Sequence, residues 1–214
     1  MIALDAKRPN TVAVRDARIA DIASHAKRAF AEHVIRPLFL GMPPDSSDHD
    51  WCYRGWSCEK PGDCAYHFRL FSFPGRLIVV GDIGELILER TYDMLAWARS
   101  SIESISYFAE KVPNAIPTKE YDQNIVRAWV NEIDQEILDG EREYDSKSTK
   151  LWLTELRTEV LQSIDDGDEH DVSLKIYESG FCDGFDMPDF KNWNRNFLWT
   201  RECIKWFLEK RTRE

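Results

Sequence analysis

Cys52, Cys58, Cys64 and His67 read C-x5-C-x5-C-x2-H within 16 residues. Three thiolates and an imidazole are a donor set for tetrahedral zinc. Trp51, Tyr53, Trp56 and Tyr66 lie among them and offer a second reading. In it the cysteines are small apolar residues packed in a turn-rich segment without metal. His67 opens an expected strand, where it can simply project from a sheet. Asp82 and Glu85 flank the turn Gly81-Asp82-Ile83-Gly84. Two carboxylates so placed can hold Mg²⁺ or act as acid and base, and they are equally ordinary solvated groups. Asp165, Asp166, Asp168, Glu169 and Asp171 offer oxygens to Ca²⁺, but their spacing is not that of an EF-hand loop. His170 sits in that run with no nucleophile or base beside it. His25 and His33 are eight positions apart, not four, and read as surface residues.

Other chemistry is missing from the motifs. The chain has no G-x-x-x-x-G-K-[ST] phosphate loop, no G-x-S-x-G elbow and no H-E-x-x-H zinc helix. Gly81-x-x-Gly84 leads from one strand into another, so it lacks the helix N-terminus that would hold a phosphate. Five cysteines is an odd count, and Met1–Asn10 has no apolar signal segment. Free thiols in a reducing compartment are expected. The cysteine segment resembles a CCCH zinc finger, with x2 where that family has x3. The expectation is no catalytic residue and no cofactor, with zinc at Cys52, Cys58, Cys64 and His67 as the candidate exception.

The elements that would position these groups follow from periodicity. Val14, Ala17, Ile19, Ile22, Ala26, Ala29, Phe30 and Val34 predict a helix over 11–36, stopped by Pro37. Residues 41–50 read as a loop. Tyr66–Ser72, Arg76–Val80 and Glu85–Glu89 predict three strands of an antiparallel meander. Helices are expected over Tyr92–Arg99, Ser101–Val112, Tyr121–Leu138, Thr149–Ile164 and Asn192–Lys210. Val172–Tyr177 reads as a short helix or a strand. In Tyr121–Leu138, Ile125, Trp129, Ile133 and Ile137 form an apolar stripe. Glu132, Glu136, Asp139 and Glu143 fall on the neighbouring side, where like charges repel. The closing helix has one stripe of Trp193, Phe197, Ile204, Phe207 and Leu208. A second stripe holds Trp199, Cys203 and Trp206, about 90–130° away. Such a helix is central to the fold, or else Trp199 and Trp206 anchor a homodimer or target interface. The expected class is α+β, a small antiparallel meander near 66–89 packed against several helices. One domain is expected over 1–214: an N-terminal helix in 1–40, a sheet-containing core in 51–112, and helices in 119–214.

Charge narrows the partners. The 214 residues carry 28 basic and 38 acidic side chains, net −10, with a pI near 5.1. That balance argues against direct binding of nucleic-acid backbone. With 43% hydrophobic and 12% aromatic residues the chain is too apolar for disorder. It has no apolar run of about 18 residues to cross a membrane. Residues 1–40, 41–119, 120–190 and 191–214 carry net +3, −3, −14 and +4. A block of −14 is either a solvated face or a surface that meets a basic partner.

Tyr66-His67-Phe68-Arg69 and Phe73-Pro74-Gly75-Arg76-Leu77-Ile78-Val79-Val80-Gly81-Asp82-Ile83-Gly84-Glu85 carry a P-G-x-L-x-x-x-G-D-[IM]-G core, followed by Arg90, Asp93 and Met94 in an R-x-x-D-M stretch. This segment is similar to uncharacterised small proteins of phages and prophages. The resemblance spans at most Trp51 to Trp97, brings no catalytic residues, and implies the cytoplasm of a host bacterium. The expected function is a non-enzymatic phage-encoded inhibitor of a host defence or nucleic-acid-handling complex. It would act through an acidic surface that imitates nucleic-acid charge and meets a basic host protein, with Glu132, Glu136, Asp139, Glu143, Trp199 and Trp206 at the contact. The alternatives are a metal-dependent hydrolase or nucleotide-modifying enzyme, and a zinc-stabilised structural module.

Overall fold

The computed structural model describes residues 10–38, 54–113, 115–139, 157–166, 169–178 and 189–212. The fold is α+β, as expected. Where one domain is anticipated, the chain forms two compact units. A helical unit comprises residues 1–18 and 120–192, and a sheet unit comprises 19–119 and 193–214. The physical reason is that the buried apolar residues collect into two separate clusters.

The sheet unit is built on five antiparallel strands in sequence order: β1 (Val34–Leu38), β2 (Arg54–Lys60), β3 (Asp63–Phe73), β4 (Arg76–Gly81) and β5 (Gly84–Glu89). The last three lie close to the expected meander, and β1 and β2 add to it. Helix α1 spans Asn10–Ala29 and ends well before Pro37. Phe30, Ala31 and His33 close its end with backbone bonds of 2.9, 3.3 and 3.1 Å. The β-branched Val34 and Ile35 then enter an edge strand, where Pro37 is tolerated because one side of the strand needs no donor. The turn before β4 places Gly75 at φ +80°, a conformation that suits glycine. Gly81 is needed for space, since a Cβ there would stand 2.6 Å from the His67 carbonyl oxygen.

Register sorts the strand residues onto two faces. Trp56, Leu70, Val79 and Leu86 align across β2 to β5 and are buried, as are Cys58 beside Phe68 and Leu77 beside Leu88. Against this face lie Ile22 and Ala26 of α1, Phe30 just past its end, and Met94 and Ala98 of α2 (Met94–Ser101). Phe108 of α3 (Ile105–Ala109) joins the same cluster. Asp93 caps α2 by accepting from the Leu95 and Ala96 amides, both at 3.1 Å.

The helical unit contains α4 (Gln123–Asp139), α5 (Arg157–Asp166) and α6 (Glu169–Glu178). Val172–Tyr177 is therefore helical. Ile125, Trp129, Val130 and Ile133 pack with Val160, Ile164, Val172, Ile176 and Phe190. Two short strands, β6 (Lys119–Tyr121) and β7 (Lys191–Trp193), pair with each other. Buried beside them, Asn192 Nδ2 donates to Asp122 Oδ2 at 2.7 Å, and Arg18 Nη2 stands 3.1 Å from the same oxygen. Asp122 Oδ1 accepts the Asn124 amide at 3.0 Å at the start of α4.

The closing helix α7 spans Arg195–Thr212 and belongs to the sheet unit. Trp193 of the first expected stripe lies before the helix, in β7, and the helical residues of both stripes face the core. Trp199 is 3% exposed, with ring centroids of Phe30, His25 and Tyr66 within 5.2–5.4 Å. Trp206 is half-buried against Phe30, Phe68 and His33. An anchoring role for Trp199 at an interface is therefore corrected: its indole is already enclosed by its own chain.

Candidate interaction surfaces

The division into units is also a division of charge. The helical unit has 11 basic and 22 acidic residues, net −11, and the sheet unit has 17 and 16, net +1. Part of that negative charge is engaged inside the helical unit. Glu132 is half-buried, and its Oε1 accepts the Thr11 amide at 3.1 Å, placing a carboxylate on an unsatisfied donor of the first turn of α1. Asp134 holds Arg157 at 2.5 Å and Glu120 holds Arg18 at 2.7 Å. Glu136 is half-buried. Asp139 is exposed and accepts from Gln135 Nε2 at 2.9 Å. Glu143 lies outside the described residues. The expected single stripe is thus divided: Glu132 braces the fold, while Asp139, Glu159, Asp171 and Glu178 are presented to solvent.

The zinc set does not converge in its described part. Cys58 is fully buried on the core face of β2, and burial pushes its thiol well above the usual range. Cys64 is exposed at the start of β3. His67 Nδ1 stands 2.7 Å from Asp82 Oδ1, off the ring N–H axis, and the His67 amide donates to Asp82 Oδ2 at 3.2 Å. Cys52 lies outside the described residues. Among the described residues no three His, Cys, Asp or Glu side chains are grouped to hold a metal ion. The reason is strand geometry: Cys58 is turned inward with Phe68, so it cannot share a centre with an exposed Cys64 and an Asp-paired His67.

The other candidates are placed as follows. Asp82 is engaged by His67, and Glu85 stands exposed on β5. The side chains of Asp165, Asp166 and Asp168 lie outside the described residues. His25 packs edge-on to Tyr66 and Trp199. His33, read from sequence as a surface residue, is 3% exposed, with Nε2 3.1 Å from the Tyr66 carbonyl oxygen. Burial holds its pKa below 6.5.

A cleft of about 520 Å³ opens beside the β2–β3 turn, lined by Arg36, Glu59, Lys60, Cys64, His67 and Arg69 among others. Its charges are largely paired: Arg36 with Glu59 at 3.0 Å, Lys60 with Glu32 at 3.0 Å, and His67 with Asp82. Arg69 is the lining cation outside these pairs, and no nucleophile–base pair or metal-ligand cluster converges on the cleft among the described residues.

The outer face of the sheet carries an apolar patch that local periodicity does not announce. Phe71, Ile78 and Ile87 align there in one row, with Arg69, Val80 and Glu85 in the next. The signal was present in Leu77-Ile78-Val79-Val80, four apolar residues where a half-solvated strand alternates. Comparison with protein-family models, curated proteins and solved structures finds no match to this chain.

Proposed function

We propose that the protein is a non-enzymatic binding protein whose helical unit docks through its exposed carboxylates on the basic surface of a partner protein. One observation carries this reading: net charge of −11 is gathered in one compact unit while the rest of the chain is near neutral. Charge confined to one body sets up a directional field, which raises encounter rates with a complementary surface and selects against acidic ones. The phage-like core suggests the setting, a host defence or nucleic-acid-handling complex whose basic groove normally receives phosphates.

The test is capture from nuclease-treated bacterial lysate at about 0.05 and 0.5 M salt, where the Debye length falls from roughly 14 to 4 Å. The expected partner is a basic protein held at low salt and released at high salt. Asp139→Lys/Glu159→Lys/Asp171→Lys should release it at low salt as well. A partner that survives both the salt and this triple reversal would overturn the reading.

A further inference from the structure

On β4, Leu77 and Val79 fill the core, while Ile78 and Val80 face the opposite side, Val80 being 43% exposed. Phe71 stands on that same side of β3, paired with Ile78. Ile87 adds to the patch from β5. A sheet face in contact with water normally carries polar residues at these alternate positions. Apolar side chains here fit a face that packs on something.

The charges on this face indicate what. Arg36 pairs with Glu59, and Arg76 with Glu89 at 2.7 Å, so these cations are matched across neighbouring strands. Arg69 and Glu85 remain, and neither side chain makes a hydrogen bond or ion pair among the described residues. They occupy one row, on either side of the exposed Val80. Strands lie about 4.8 Å apart, so the two residues are equally far from β4 in opposite directions. A twofold axis along β4, between two facing sheets, exchanges the β3 side with the β5 side. It sets Arg69 of each copy opposite Glu85 of the other, Val80 against Val80, and Phe71 against Ile87. Packed sheets cross at about 30°, which displaces residues one strand from the axis by only about 2.5 Å.

We propose that the outer sheet face is a self-complementary interface between two copies of this chain. Its three arginines and three glutamates balance, so a second copy meets no net repulsion and a strongly charged partner is not selected. Five strands of about five residues cover roughly 24 by 17 Å, or about 400 Å² per copy, at the small end of specific interfaces. The dimer is accordingly weak, with Kd on the order of micromolar. It depends on the sheet unit alone and stands apart from the charge reading of the helical unit.

Sedimentation velocity of the intact purified chain from about 1 to 500 µM tests it, with a reversible monomer–dimer equilibrium expected. Arg69→Glu and Glu85→Arg each oppose like charges at two contacts and should weaken dimerisation about tenfold or more. Combined, they recreate both pairs and should return Kd to within about threefold of the parent. Val80→Lys should leave a monomer, and circular dichroism melts verify that each exposed-site variant is folded. A parent chain that stays monomeric, single variants that dimerise normally, or a double variant no better than the singles would each overturn the proposal.

Discussion

Removing the Asp122 carboxylate should be among the most damaging single changes in the helical unit. Asp122 is 4% exposed and Asn192 is 1% exposed, so neither can turn to water when the other is lost. Asp122→Ala deletes the acceptor for the Asn124 amide at the start of α4, about 1 kcal/mol. It also removes the 2.7 Å charge-assisted bond donated by the Asn192 amide, a further 1–3 kcal/mol or so. Arg18 keeps Glu120 and stays partly exposed, so its share is under about 1 kcal/mol. The expected loss is about 3 kcal/mol, read as a urea midpoint shift of about 1–2 M. Asp122→Asn restores only the cap, because its amide would point a donor at Asn192 and Arg18. It should recover about 1 kcal/mol. A double-mutant cycle with Asn192→Ala should show coupling of at least about 1 kcal/mol, and amide exchange should quicken in α4. A loss below about 1 kcal/mol for Asp122→Ala, or zero coupling, is incompatible with a structural role for the buried Asp122–Asn192 pair.

Three further outcomes are expected. His33 is held below its ordinary pKa by burial, so the unfolded chain takes up its proton first. The stability that neutral His33 confers is present above pH 6.5 and is lost as pH falls below it and through the lower folded pKa, and His33→Gln should flatten a urea-midpoint series from about pH 8 to 5. Burial also raises the Cys58 and Cys203 thiols, so alkylation followed by peptide mapping should label Cys64 quickly and these two only on unfolding. Gly81→Ala forces a Cβ to within 2.6 Å of the His67 carbonyl oxygen and should cost about 1–3 kcal/mol in denaturant titration.

Much of the fold was legible along the chain. The stripe of Ile125, Trp129 and Ile133 marks α4, and Pro74-Gly75 marks the β3–β4 turn. Both signals are local, since a helix or a hairpin is decided within a few residues. β1 escapes a local reading because Val34 continues a helical spacing that ends at Ala29, and only pairing with β2 makes it a strand. β2 was hidden by its cysteines: Cys58 read as a ligand, and its burial depends on the face that β3 presents to it. The acidic stripe was legible as composition. That Glu132 reaches the Thr11 amide, 121 positions away, was not.

The α+β class, the strong helices, the hairpins and the concentration of negative charge in 120–190 follow from residue type and short-range order along the chain. Tertiary structure decided the rest. It packed both stripes of α7 against the core, joined Asp122 to Asn192 across 70 positions, and turned Arg69, Val80 and Glu85 onto one face. It also gathered two distant stretches of chain into one anionic unit. Each of these rests on contacts between residues far apart in sequence, and local periodicity carries no information about which distant surfaces meet.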